Sequence, residues 1–167
     1  MPRAESASRR RAGQGGVTTL LAVDGGASKV DIAIVDTSGR LLAAARRPGS
    51  YHFGLDHDSP IETLAGALGS VPRPWADGAR QLADVGVYCL AGADIPIDDR
   101  RIAAQVVSRG WTSRTVIRND TFAVLRAGTD RTWGVGVVCG TGLNCAAVSP
   151  EGRIVRCLLY TSDAADE

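Results

Sequence analysis

The segment Val23-Asp24-Gly25-Gly26-Ala27-Ser28-Lys29 gathers an acid, two glycines, a hydroxyl and the only lysine of a chain with 19 basic residues. These residue types suit a phosphate-binding turn. Glycines let backbone N–H groups approach a phosphate, Ser28 adds a hydroxyl donor, and Lys29 adds charge. Asp24 can hold the hydrated Mg²⁺ that accompanies a nucleotide. Alone, so short a glycine motif also fits an ordinary hairpin turn. Two further acids carry the argument onward: Asp94, after Leu90-Ala-Gly-Ala, and Asp120, after Arg118-Asn119. A second glycine turn, Gly140-Thr141-Gly142, follows an apolar run.

The elements that must position these residues read as a mixed α/β layer. Thr18 to Asp24, Val30 to Asp36 and Arg40 to Arg46 are three strands of an antiparallel meander, the last two joined by the turn Asp36-Thr37-Ser38-Gly39. Arg47 to Asp58 is a loop rich in Gly, His and aromatics that contains Tyr51, His52 and His57. Ser59-Pro60-Ile61-Glu62 starts a helix, with Ser59 as cap and Ile61, Leu64, Ala65 and Leu68 on one face. Val71 to Ala83 is an irregular connection. Val85 to Leu90 is a buried strand, Asp98 or Asp99 caps a helix closed by Gly110, and Thr115 to Arg118 is a short strand. Asn119-Asp120 caps the helix Thr121 to Ala127. The strands at Val85 and Thr115 are joined by helices and must lie parallel, and ligand residues gather at the carboxyl ends of such strands. Asp24, Asp94 and Asp120 all stand there.

After Trp133 the pattern restarts. Gly134 to Cys139 is a strand, Gly140-Thr141-Gly142 a turn, Asn144 to Val148 a strand, Ser149 to Gly152 a second turn, and Arg153 begins a third strand. This is the order found between Leu20 and Arg46, and it reads as an internal duplication. The organisation expected is a disordered leader over 1–17, a first domain over 18–131 and the start of a second, similar domain over 132–156. Residues 157–167 resemble the translation of a transposase adapter and are expected to be a non-native tail, with most of the second domain missing.

Composition narrows the function classes. A net charge of +1 gives no electrostatic case for nucleic acid or an anionic membrane, and no apolar run approaches a membrane span. The four cysteines, Cys89, Cys139, Cys145 and Cys157, form no C-x-x-C pair and no zinc spacing. Reduced thiols in a cytoplasm are expected.

Four motifs in order, Asp24-Gly-Gly-Ala-Ser-Lys29, Leu90-Ala-Gly-Ala-Asp94, Arg118-Asn-Asp120-Thr-Phe-Ala-Val and Cys139-Gly-Thr-Gly-Leu-Asn-Cys145, resemble the actin-like ATPase superfamily. More narrowly they are similar to the BadF/BadG/BcrA/BcrD group that includes N-acetylglucosamine kinase. The resemblance implies two ribonuclease-H-like domains hinged around an ATP cleft. It implies that Asp24 positions Mg²⁺ and that Gly25, Gly26, Ser28 and Lys29 form the first phosphate turn. Gly140, Thr141 and Gly142 would form the second turn. Asp120 would be the catalytic base toward a sugar hydroxyl, with Tyr51, His52, Asp94, Asn119 and Thr141 near the sugar. The family's amino-sugar kinases carry an asparagine in the loop where Tyr51 stands here, which leaves the sugar open. The adenosine motif belongs to the second domain and is absent, so this chain by itself is not expected to turn over. A homodimer is left open. The same group contains ATPase activators of 2-hydroxyacyl-CoA dehydratases, and a non-catalytic sugar sensor is a third class on this fold.

Overall fold

The computed structural model describes residues 18–49, 59–72, 81–140 and 142–159. Five strands form the first sheet: β1 (Thr19–Gly25), β2 (Lys29–Asp36), β3 (Leu41–Pro48), β4 (Ala83–Leu90) and β5 (Thr112–Asn119). Their order is β3-β2-β1-β4-β5. The first three strands pair antiparallel, as the meander requires, whereas β4 and β5 add parallel to β1. The carboxyl ends of β1, β4 and β5 therefore share one edge.

Side-chain alternation assigns the two faces of this sheet. Leu21, Val23, Ile32, Ile34, Tyr88 and Leu90 are buried on one face. Ile61, Leu64 and Leu68 of α1 (Ser59–Gly69) and Ile102 and Val106 of α2 (Pro96–Arg109) join them in a single core. Asp24 falls between Val23 and Gly25 and points to the opposite face, beside its parallel neighbour Cys89. A third helix, α3 (Thr121–Gly128), starts directly after β5 and lies over that second face. No described helix is long and apolar enough to cross a membrane.

Two expectations need correction. The helix α2 begins at Pro96 with Ile95 as its cap, not at Asp98 or Asp99. Proline is preset for the first helical turn, and Asp98, three residues past the cap, accepts a hydrogen bond from the Ile95 N–H at 3.2 Å. The strand β5 is also longer than Thr115 to Arg118. Its opening residues are polar because β5 is an edge strand, yet they pair from Thr112 opposite Ala83.

The second sheet is the antiparallel meander β6 (Gly134–Cys139), β7 (Leu143–Val148) and β8 (Ile154–Leu159). Pairing continues three residues past Arg156, into the stretch read as a tail. An open strand edge presents unpaired N–H and C=O groups to any extended segment beside it.

The resemblance of the two meanders extends to their turns. In the first, the Gly39 N–H donates to the Asp36 carbonyl at 2.9 Å and the Asp36 N–H to the Arg40 carbonyl at 3.1 Å. In the second, Gly152 donates to Ser149 at 2.9 Å and Ser149 to Arg153 at 2.8 Å. Gly39 and Gly152 have φ of 85° and 83°, a left-handed conformation that favours glycine. The two meanders thus share one turn geometry.

The sheets are joined through α3. A Cβ on Gly136 of β6 would stand 2.3 Å from the Thr121 carbonyl oxygen and 3.2 Å from the Leu125 Cβ. Backbone cannot yield as a flexible side chain can, so Gly136→Ala is expected to destabilise the protein by about 1–3 kcal/mol. Urea unfolding checks this; an unchanged midpoint would mean that the joint is loose.

Candidate active site

The first glycine turn closes on itself, with the Gly26 N–H donating to the Lys29 carbonyl at 2.8 Å. The backbone after β3 lies directly against it. A Cβ on Gly49 would meet the Gly26 carbonyl oxygen at 2.2 Å and the Lys29 nitrogen at 2.5 Å, and the Gly49 N–H donates to the Ser28 carbonyl at 3.1 Å. The requirement for glycine at position 49 was not read from the sequence, since the clash is with a partner some twenty residues away. Ser28 and Lys29 are exposed. The Lys29 ammonium rests 3.1 Å from the carboxylate of Asp31, which Arg46 grips through Nε at 2.5 Å and Nη2 at 2.9 Å. These bonds hold the Asp31 carboxyl below its ordinary range, the Arg46 guanidinium contributing most.

Asp24 lies opposite Asp31 across the β1–β2 pair. Although its side chain reaches solvent, the protein mass around the strand end removes water from it. That loss raises its pKa, Lys29 opposes the rise and Asp31 reinforces it.

Asp120 follows β5 and opens α3, yet its side chain makes no capping hydrogen bond. Asn119 does that work: its Oδ1 accepts from the Thr121 N–H at 3.0 Å and from the Thr121 hydroxyl. The expectation that Asn119-Asp120 caps the helix thus holds for Asn119 alone. The Asp120 carboxylate is left available, and its Oδ1 is buried without a hydrogen-bond partner. Burial raises its pKa most, followed by the charges of Asp24 and Asp94. Those two repulsions place all three acids within electrostatic reach at one sheet edge.

Asp94 is more constrained than the sequence indicates. Its Oδ1 accepts from Asn119 Nδ2 at 2.7 Å and from Asn144 Nδ2 at 2.8 Å. Asn144 belongs to β7 of the second sheet. An asparagine beside a turn carries no signal in the sequence until its partner is known. The second glycine turn stands next to it, with the Gly140 N–H donating to the Gly142 carbonyl at 2.9 Å. Thr141, Tyr51 and His52 lie outside the described residues.

On the face under α3, a cleft of about 920 Å³ runs from Asp24 and Cys89 past Ala22, Ala33 and Phe122. Its buried thiol, Cys89, has its pKa pushed up to about 11 by burial and then by the Asp24 and Asp120 charges, so it stays protonated. Among the described residues no group of three or more His, Cys, Asp or Glu could enclose a metal ion. The edge fits a cation held through water by one or two carboxylates, the habit of Mg²⁺.

No family model matches the chain. It is 27% identical over 141 residues to the N-acetyl-D-glucosamine kinase of Dictyostelium discoideum, covering 80% of this chain and 44% of that one. It is 25% identical over 143 residues to the N-acetylmuramic acid/N-acetylglucosamine kinase of Clostridium acetobutylicum, covering 82% and 44%. The solved structure of a "Putative N-acetylglucosamine Kinase" from Chromobacterium violaceum matches with a TM-score of 0.61 at 21% identity, over 84% of this chain and 48% of that one. A ROK family glucokinase from Streptomyces griseus, in complex with glucose and AMPPNP, matches at 0.55 and 17%, over 83% and 47%.

The chain has the actin-like ATPase fold. Within that fold the two curated relatives support the BadF-type group to which the four motifs pointed. The chain spans 44% of the length of each of those relatives.

The raised Asp120 pKa has a consequence for stability. The folded state holds that proton more tightly than the unfolded state, so the site's contribution falls as pH rises from the unfolded pKa through the folded one. Asp120→Asn removes the buried charge and its repulsion from Asp24 and Asp94. It is expected to raise the melting temperature of the ligand-free protein at pH 7, with the gain vanishing as pH falls toward about 4. Melting curves across pH check this; a loss of stability at pH 7 would show that Asp120 is paired.

Proposed function

We propose that the whole protein is an ATP-dependent kinase that transfers the γ-phosphoryl group to a hydroxyl of an amino sugar such as N-acetylglucosamine. The observation that carries this reading is the Asp120 carboxylate, relieved of capping by Asn119 and left with a buried, unpartnered oxygen beside Asp24 and Asp94. A sugar hydroxyl would supply the donor that this oxygen lacks. Fold and relatives raise the reading above that of a plain strand-end acid.

In this mechanism Asp120 accepts the hydroxyl proton as the sugar oxygen attacks in line. Its pKa, raised by burial and by the Asp24 and Asp94 charges, makes it a better base than an exposed aspartate. The backbone donors of the two glycine turns, with Ser28 and Lys29, would take the phosphates from two sides. Lys29 can leave Asp31 without stranding it, because Arg46 remains on that carboxylate. Asp24 would hold Mg²⁺ through water, and the ion would neutralise charge on the phosphates. Asp94, held by two asparagine amides, would stand near the sugar.

The test is phosphorylation of N-acetylglucosamine, N-acetylmuramic acid and glucose by the protein from the complete reading frame, with ADP release as readout. Turnover with an N-acetylated sugar is expected. Asp120→Asn is expected to lower kcat by about 10²–10⁴-fold while the affinity for an ATP analogue changes less than about threefold. Wild-type turnover in that variant would remove Asp120 from the chemistry.

A further inference from the structure

Phosphoryl transfer would need the acid edge and the second glycine turn to act together, yet they belong to different sheets. Two side chains cross between them. Asn144, two residues past Gly142, donates Nδ2 to Asp94 Oδ1 at 2.8 Å. Its Oδ1 accepts the Cys145 N–H at 2.8 Å, which fixes the amide so that its donor end faces Asp94. Arg156, on β8, donates Nη2 to Asp99 Oδ2 at 2.8 Å, and its Nη1 lies 3.4 Å from the carbonyl oxygens of both Ala93 and Asp94. Its guanidinium also stands over the Phe122 ring, 5.7 Å from the centroid. Only 19% of the Arg156 side chain and 23% of Asp99 are exposed, and the second Asp99 oxygen is buried without a partner. Both contacts act on the stretch from Ala93 to Asp99, the segment that carries Asp94.

We propose that Asn144 and Arg156 form a latch between the sheets, and that Asn144 is a positioning residue coupling occupancy of the second glycine turn to the placement of Asp94 beside Asp120. A phosphate drawn onto the second turn moves or stiffens the start of β7. Asn144 transmits that change to Asp94, whose other amide partner, Asn119, adjoins Asp120. Coupling of this kind is reciprocal, so sugar at Asp94 tightens the phosphate turn by the same factor. The identity of the two ligands rests on the kinase reading; the latch itself does not.

The two contacts differ in what their loss would do. Removing Arg156 strands the buried Asp99 charge and threatens folding. Asn144→Ala leaves Asp94 still held by Asn119, so it is the cleaner variant. Asn144→Asp, of equal size, places a carboxylate against Asp94 and guards against an effect of lost volume alone.

The experiment is calorimetric titration of the protein from the complete reading frame with a non-hydrolysable ATP analogue, with and without saturating N-acetylglucosamine. In the wild type, sugar is expected to tighten analogue binding by about fivefold or more, within the usual range of coupling. In both variants the ratio falls to within about twofold of one, while affinity for the analogue alone changes less than about threefold. Retention of the wild-type ratio in the variants would overturn the proposal, as would a ratio of one in a wild type that binds both ligands. Hydrogen exchange without ligand separates the latch from the kinase reading. In Asn144→Ala the amides of Ala91–Asp94 and of Gly142–Asn144 are expected to exchange faster together. Acceleration of one segment alone would overturn the latch even in a protein that binds neither ligand.

Discussion

Carboxylates repel one another and resist burial, and this fold places three of them on one edge. Parallel addition of β4 and β5 to β1 sends the three carboxyl ends in the same direction, so Asp24, Asp94 and Asp120 have nowhere else to stand. Much of the surrounding structure answers that constraint. Two asparagine amides hold Asp94, Asn119 takes over the helix cap that Asp120 would otherwise supply, and Lys29 lies close enough to offset the Asp24 charge. What is left uncompensated is Asp120. A buried carboxylate oxygen without a partner costs stability in the free protein, and such a cost persists where a ligand relieves it.

The second constraint is close approach. Gly49 admits the backbone after β3 against the first turn, and Gly136 admits β6 against α3. The first contact shapes the phosphate turn; the second brings the repeated meander, and with it Asn144, within reach of Asp94. Geometry at the acid edge therefore depends on glycines that touch no ligand. The ion pairs around Asp31 act differently. They are exposed and contribute little to stability, but they hold Lys29 beside the turn without committing it.

Much of this was legible in the sequence. The meander, the alternation of helices with later strands and the convergence of Asp24, Asp94 and Asp120 all follow from periodicity and turn residues, which act locally. Other features were not legible. The start of α2 was misplaced because Asp98 and Asp99 look like caps, when Asp98 acts backward from inside the helix on Ile95. The division of labour between Asn119 and Asp120 is invisible in a dipeptide in which either side chain can cap. Asn144 and Arg156 acquire meaning only through partners fifty or more residues away. Pair contacts of that range have no signature in a single chain.

The account rests on an Asp120 carboxyl strained by burial and by its two neighbours. The most direct measurement is a carboxyl carbon NMR titration of Asp120 in the ligand-free protein, repeated with Mg²⁺ and a non-hydrolysable ATP analogue. The account predicts a pKa above the ordinary aspartate value without ligand, and a fall when the cation neutralises the edge. An ordinary aspartate value in the ligand-free protein, unmoved by Mg²⁺ and the analogue, would contradict it.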